Sequence, residues 1–232
     1  MIEANHIAII LDGNRRWAKK KGMAPQLGHK QGAQTLENVA KQAAEKGLKY
    51  LTVYIFSTEN WNRSKEEVDY LMRLFKIYFA KLIKNSAKHN IRVKFLGTQE
   101  RLTEELKRLE LESENKTKDK DGMQLNLCFN YGGRKEITEA AKKIADKVKK
   151  GELSLEQIDE KIVEDNLYSK DIPDPDILIR TSGEQRLSNF LPWQLTYTEF
   201  FFIQKDWPDF NIEDLERIDE EFSKRNRRFG AG

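Results

Sequence analysis

Four stretches of this chain set arginines, amides and small hydroxyls directly behind short apolar runs. They are Asp12-Gly13-Asn14-Arg15-Arg16-Trp17, Ser57 to Arg63 (STENWNR), Asn130 to Arg134 (NYGGR) and Arg180 to Phe190 (RTSGEQRLSNF). Arginine presents a planar fork of donors that fits phosphate oxygens two at a time. Gly13, Gly132, Gly133 and Gly183 let backbone N–H groups come close to a ligand, and helices starting there aim their positive ends at it. The acids nearby are Asp12, Glu59, Glu184 and Glu199. Mg²⁺ normally takes one or two carboxylates together with substrate phosphates. The set therefore points to a diphosphate with Mg²⁺, and neither a Walker loop nor GxGxxG is present to make it a nucleotide site. Taken singly, each stretch reads equally well as a solvated polar loop; convergence decides, and convergence is a matter of fold.

The elements that would position these loops are six apolar runs: His6–Leu11, Tyr50–Phe56, Ile91–Leu96, Gln124–Phe129, Ile177–Ile179 and Phe200–Ile203. Several are near-continuous Ile, Val, Leu and Phe, the pattern of strands buried on both faces. Helical patterns lie between them. One carries Ala33, Leu36, Ala40, Ala43 and Ala44 on one face and stops at Gly47; a second carries Val68, Leu71, Met72, Phe75, Phe79, Leu82 and Ile83; Lys135–Lys150 and Glu213–Arg225 supply others. Strand alternating with helix predicts an α/β fold. It is a mostly parallel central sheet of about six strands flanked by helices, in a single domain over residues 1–232. Ligands in such sheets bind beyond the carboxyl ends of the strands, where the four loops fall. Glu100–Asp121 is heavily charged and reads as a mobile, solvated helix end and turn. In the second helix Leu74, Ile77 and Tyr78 widen the apolar stripe; it serves either core and a subunit contact, or a greasy channel beside the phosphate site.

Totals exclude several classes. The 41 Lys and Arg against 38 Asp and Glu leave +3, and the lysines are scattered, so nucleic-acid binding finds no basic face or stacking motif. One cysteine, Cys128, allows neither a disulfide framework nor a zinc cluster and points to a reducing cytoplasm. The beginning of the chain lacks a leader pattern, and no run reaches the length of a membrane span.

HIAIILDGNRRWA, GHKQG, YIFSTENWNR, FNYGGRKEI, IRTSGEQRLSNFLPWQ, TEFFF and WPDF, in that order, resemble the motifs of the cis-prenyltransferases over about residues 5 to 230. The resemblance implies a homodimeric, Mg²⁺-dependent enzyme that condenses isopentenyl diphosphate units onto an allylic diphosphate, farnesyl diphosphate in bacterial members. The product implied is a long cis polyprenyl diphosphate of undecaprenyl length, the lipid carrier of cell-wall synthesis. The implied fold holds the growing chain in a hydrophobic tunnel between sheet and helices. On the matching positions, Asp12 is the essential acid for Mg²⁺ and for departure of the allylic diphosphate, and Glu199 is the second metal acid. Gly13, Asn14, Arg15, Arg16 and His29 match the allylic diphosphate site, with Trp17 packed beside it. Ser57, Thr58, Glu59, Asn60, Trp61 and Arg63 match the stretch that orders both substrates. Asn60 is the catalytic amide of the family; an amide is a poor base, so it positions while a diphosphate oxygen takes the proton. Arg180, Arg186, Leu187 and Ser188 match the isopentenyl diphosphate site, and Arg228-Phe229-Gly230 a tail that reaches towards a diphosphate.

Three positions depart from the pattern. Arg15 replaces a glycine, Pro25 stands where an arginine usually meets the allylic diphosphate, and Ile55 replaces a frequent alanine. Arg15 is placed to supply the charge that Pro25 removes, and Ile55 narrows a tunnel it faces, favouring shorter products. A shorter-chain synthase and a non-catalytic partner subunit are the alternatives; retention of Asp12, Asn60, Arg180 and Arg186 weighs against the second. An oily product implies transient contact with a membrane surface without any anchor.

Overall fold

Five consecutive buried residues make up β1 (His6–Ile10), which a strand can reach only with both faces and both edges covered. The covering is supplied in chain order. The short helix α1 (Asn14–Lys20) and α2 (Pro25–Glu45) lead to β2 (Tyr50–Ser57), α3 (Lys65–Lys88) to β3 (Ile91–Leu96), and α4 (Glu104–Thr117) to β4 (Met123–Tyr131). Then α5 (Gly133–Lys149) and a short α6 (Glu160–Glu164) lead to β5 (Ile177–Arg180), followed by β6 (Glu199–Phe202) and α7 (Ile212–Ser223). The computed structural model describes residues 1–225, without the side chains of residues 83, 86 and 87; Arg228, Phe229 and Gly230 lie outside the described residues.

The six strands form one sheet in the order β3-β4-β2-β1-β5-β6, every pair parallel. The chain moves one way from β1 to β2 and returns to β5 on the other side of β1. The carboxyl end of β1 is therefore the switch point at which such sheets open a crevice. One face packs Ile7, Ile9, Leu51, Val53, Leu125 and Leu127 under α2, α3, α4 and α7; the other packs Ala8, Ile10, Leu178 and Cys128 against Tyr131, Phe190 and Leu195.

Local chemistry sets the helix ends. Pro25 opens α2, where its missing N–H costs nothing. Ser64 caps α3 by accepting the Glu67 N–H, and Thr103 caps α4 by accepting the Leu106 N–H. The charged Glu100–Asp121 segment is more ordered than its composition suggests. Leu102, Leu106 and Leu109 recur at helical spacing and are buried, so α4 docks on the sheet and leaves its charges outward. In β2 a bulge interrupts the pairing with β4: Tyr54 pairs Cys128 and Phe56 pairs Phe129, so Ile55 is the extra residue. It brings Phe56, which should point to the opposite face, onto the same side as Val53. Among the described residues no helix is long and apolar enough to cross a membrane.

A buried polar row crosses the first three central strands. His6 Nδ1 donates to the Pro173 carbonyl at 2.6 Å, the Thr52 hydroxyl lies 2.7 Å from His6 Nε2, and Asn126 Nδ2 donates to Thr52 Oγ1 at 2.9 Å. Because the Pro173 oxygen can only accept, Nε2 is the unprotonated nitrogen. Burial pushes the His6 pKa down from 6.5 to about 4, outweighing the Pro173 contact. The unfolded chain thus binds this proton at higher pH than the folded one. The stabilisation is complete above about pH 6.5 and is lost as pH falls towards 4, on the order of 3 kcal/mol. Urea midpoints measured at pH 7 and pH 4.5 should fall less in a His6→Gln variant than in the parent; parallel losses would refute the assignment.

Candidate active site

Asp12 is fixed before its carboxylate does anything. Its backbone carbonyl accepts from the Trp207 N–H at 2.9 Å and from Thr181 Oγ1 at 2.6 Å. Gly13 turns the chain at φ +102°, and a Cβ there would lie 2.5 Å from Asp206 Oδ1, so only glycine fits. Oδ1 of Asp12 accepts the Gly13 N–H at 2.7 Å and lies 3.2 Å from Arg16 Nη2. Oδ2 accepts from Arg180 Nη2 at 2.9 Å. Arg180 ends β5, in register with Ile10 of β1, and is only 4% exposed. Its Nη1 donates to the Arg186 carbonyl and, at 2.9 Å, to Ser188 Oγ.

The remaining guanidinium groups are held by carboxylates at the same edge. Glu67 pairs with Arg63 at 2.8 Å and Arg15 at 3.2 Å, while Glu184 pairs with Arg186 and, at 3.4 Å, with Arg16. His29 Nε2 lies 3.8 Å from Glu67, too far for a hydrogen bond. Burial, helped by the neighbouring Arg63 charge, lowers the His29 pKa to about 4, so it is neutral at pH 7. Among the described residues the buried side-chain polar atoms without a partner are Asn14 Oδ1, His29 Nε2, Arg180 Nε and Gln194 Oε1, and the first three belong to residues on one cavity wall. An orphaned buried polar atom is costly, and three among the residues of one wall show that this wall is not built for stability alone.

That cavity holds about 710 Å³. At its polar mouth stand Asp12, Asn14, His29, Ser57, Asn60, Arg63, Arg180, Arg186 and Ser188. Beyond the mouth it runs between sheet and helices along Leu36 and Ala40 of α2, Leu71, Phe75, Phe79 and Leu82 of α3, and Leu125 and Leu127 of β4. Ile55 and Phe56, brought to this side at the bulge, are also on the wall. Of the residues that widen the α3 stripe, Leu74 and Tyr78 line the cavity, but Ile77 is 64% exposed. Asn60 Oδ1 accepts the Ser57 N–H at 3.1 Å. Its carbonyl is thus committed, leaving the NH₂ group as a donor.

A mouth of guanidinium, amide and hydroxyl groups opening into an apolar tube suits a ligand with a charged head and a long hydrocarbon tail. Residues 10–230 match the prenyltransferase family of undecaprenyl diphosphate synthases. The chain belongs to this family. It is 47% identical over 226 residues to the isoprenyl transferase of Clostridium perfringens, covering 97% of this chain and 89% of that protein. The ditrans,polycis-undecaprenyl-diphosphate synthase of Micrococcus luteus, named as (2E,6E)-farnesyl-diphosphate specific, is 47% identical over 97% of this chain and 91% of its own. Lavandulyl diphosphate synthase from Lavandula x intermedia, solved with dimethylallyl diphosphate, superposes with a TM-score of 0.95 at 41% identity over 98% of both chains. As a family member the chain is an enzyme of cis-prenyl chain elongation.

Not every residue singled out in the sequence reaches the cavity wall of this prenyltransferase. Trp17 is buried, with its Nε1 donating to Asp209 at 2.6 Å and Lys21 over its ring. Trp61 donates to Asn130 Oδ1 at 2.7 Å and packs on Phe56. Thr58 bonds to Glu59, and Glu59 accepts from Asn189 Nδ2 at 2.7 Å. Leu187 packs against the other face of the sheet. Arg15 and Arg16 stand just outside the wall on their carboxylates. Glu199 is the clearest departure from expectation. It begins β6 opposite Ile177, at the amino edge of the sheet, and pairs with Arg225 at 2.8 Å, so one chain does not bring it to Asp12. The NYGGR loop shapes the edge instead of lining the cavity; Asn130 ties Trp61 to the Thr98 and Glu100 carbonyls.

Three residues that sequence reasoning passed over complete the site. Glu67 holds two arginines, Asp206 accepts from Lys20 and Ser182, and Trp207 bonds both Asp12 and the Gly32 carbonyl. The signal for Trp207 was the WPDF run itself, which Asp206 immediately precedes. Arg15 shares Glu67 with the wall residue Arg63, beside His29. Replacing Arg15 with glycine should weaken binding of inorganic diphosphate by roughly tenfold or more, the worth of a charged hydrogen bond. Calorimetric titration measures it, and an unchanged affinity would show that Arg15 serves Glu67 alone.

Proposed function

We propose that this enzyme adds isopentenyl diphosphate units to farnesyl diphosphate as a homodimer in the cytoplasm, with Mg²⁺, and makes undecaprenyl diphosphate. The observation that carries the reading is one polar mouth, with Asp12, Asn14, His29, Asn60, Arg180 and Arg186 on its wall, set directly on a tube of Leu, Ile and Phe side chains. In each cycle the allylic C1–O bond breaks, a bond forms from C1 to the terminal alkene carbon of the isopentenyl unit, and a proton leaves that unit. Arg180, Arg186 and Ser188 bind and orient the isopentenyl diphosphate. Gly13, Asn14, Arg16 and His29 do so for the allylic one, with Arg15 in place of the arginine lost at Pro25. Asn60, whose NH₂ is its free group, donates to a diphosphate oxygen and sets the angle of attack, and that diphosphate takes the proton. The apolar wall excludes water from the forming cation.

The donor set fits Mg²⁺. The Asp12 carboxylate is on the cavity wall and 27% exposed, and one carboxylate with diphosphate oxygens suffices for this ion. Bound there, Mg²⁺ would act as a Lewis acid on the charge gathering at the leaving diphosphate. Glu199 stands at the other edge of its own chain, so a part for it at the metal would come from the second subunit. The exposed Tyr197 and Phe200 beside the free edge of β6 support such pairing.

A second reading, a synthase of shorter chains, draws on Ile55, whose branched side chain stands on the tunnel wall. Both readings meet one assay: incorporation of labelled isopentenyl diphosphate into farnesyl diphosphate with Mg²⁺, products separated by length. Asp12→Asn should abolish incorporation while leaving the fold intact by circular dichroism; a variant with normal turnover would sink the assignment. Ile55→Ala should shift the product distribution to longer chains, and an identical distribution would free Ile55 from any part in length.

A further inference from the structure

From Tyr70 to Lys88 helix α3 carries five basic residues, Arg73, Lys76, Lys81, Lys84 and Lys88, and the sequence has no Asp or Glu from residue 70 to residue 99. Two of the five are answered from neighbouring helices: Lys76 by Glu105 of α4, and Lys81 by Glu37 of α2 at 2.6 Å. Arg73, Lys84 and Lys88 make no ion pair among the described residues. With Ile77 and Ala80 they recur at helical spacing, and all five are exposed. The start of α2 lies beside this stripe, because Tyr70 donates to the Gln26 carbonyl and Tyr78 to the Lys30 carbonyl. There Met23 and Leu27 are 44% and 48% exposed, next to the exposed Lys30. One continuous face thus presents unpaired cations around exposed Ile, Leu and Met side chains, the composition of helices that lie on lipid headgroups.

The same seam is where the cavity reaches the outside. Asn38 and Lys41 of α2, with Lys81 and Lys88 of α3, are exposed and also line it. We infer that the α2–α3 face docks on an anionic phospholipid surface, so that the seam opens onto the bilayer and the finished chain passes into lipid. This rests on the reading that the product is a polyprenyl diphosphate. Charge complementarity selects the occupant: juxtamembrane Lys and Arg near an anionic leaflet each add attraction that salt screens. A nucleic acid would share the charge attraction, but the exposed side chains at the centre of the face are aliphatic and offer bases nothing to stack on.

The test uses the full chain, and a triple variant Arg73→Gln, Ile77→Ser, Lys84→Gln, none of which lines the cavity. Each is sedimented with vesicles of phosphatidylcholine alone or with about 30 mol% phosphatidylglycerol, where the variant should bind the anionic vesicles roughly tenfold or more weakly. Elongation is measured alongside, once with detergent and once with vesicles. The expected result is retention of the parent on anionic vesicles only, with anionic vesicles speeding its steady-state turnover. The variant should match the parent in detergent and lose the vesicle effect. Equal binding by parent and variant, or tighter retention of the parent on duplex nucleic acid than on vesicles, would overturn the proposal. Elongation without vesicle binding would sink docking alone. Anionic-specific, variant-sensitive vesicle binding without elongation would support docking and sink the transferase reading beneath it.

Discussion

The pair between Arg180 and Asp12 joins the ends of two adjacent parallel strands, and the site is organised around the charge that it buries. A guanidinium at 4% exposure is expensive unless its donors are met. Here Asp12, the Arg186 carbonyl and Ser188 meet three of them. To bring the last two partners round, the chain after β5 takes left-handed backbone at Ser182, Gly183, Ser188, Asn189 and Leu191. For residues other than glycine that conformation carries a cost, and it persists only where surrounding contacts enforce it. The loop from Thr181 to Leu191 is thus folded about a cation. Loss of Asp12 would leave that cation buried and short of a partner, which links the stability of the loop to a carboxylate on the cavity wall.

The second requirement is a void, which close-packed interiors do not normally leave. Three features hold it open. The bulge at Ile55 adds a residue to β2 and turns Phe56 onto the tunnel side. There Phe56, Phe75, Phe79 and Phe129 pack edge to face, a stiff wall that cannot collapse into the space. Finally, α2 and α3 meet through polar contacts. The Tyr70 and Tyr78 hydroxyls bond backbone carbonyls, and Glu37 receives Lys81 and Asn85. A seam of hydrogen bonds sets a distance between helices without needing apolar side chains to fill the gap.

The fold was legible because its signals are local and repeated. All six strands lie where the apolar runs end in turn residues, and burial on both faces showed in the lack of alternation along β1 and β5. The head of the site was legible for the same reason, since a parallel sheet puts every strand-end loop on one edge. What could not be read were relations between distant residues. Glu67 is an ordinary first-turn acid of α3 until the fold brings Arg15 beside Arg63 on it. Glu199 precedes its apolar run, unlike the other site residues, and so begins β6 on the opposite edge of the sheet from Asp12. Trp17 and Trp61 look like ligand contacts from their neighbours in sequence, yet their indole N–H groups are taken by Asp209 and Asn130. In α4 charge density hid the buried Leu106 and Leu109, which continue from Leu102 at helical spacing.

The electrostatics of the mouth also bear on turnover. Five guanidinium groups rest on three carboxylates: Arg16 and Arg180 on Asp12, Arg15 and Arg63 on Glu67, Arg16 and Arg186 on Glu184. On the proposed function an incoming diphosphate would not meet bare cations; it would exchange one set of charge-assisted bonds for another. The exchange holds the side chains near their working positions, so little rotamer freedom is lost on binding. It also caps the net affinity, because each arginine gives up a carboxylate when it takes a phosphate. For an enzyme that must expel diphosphate and reseat a growing chain after every addition, a mouth of unpaired arginines would bind too tightly to cycle. The acids of this site are therefore as much a part of repeated elongation as the arginines they hold.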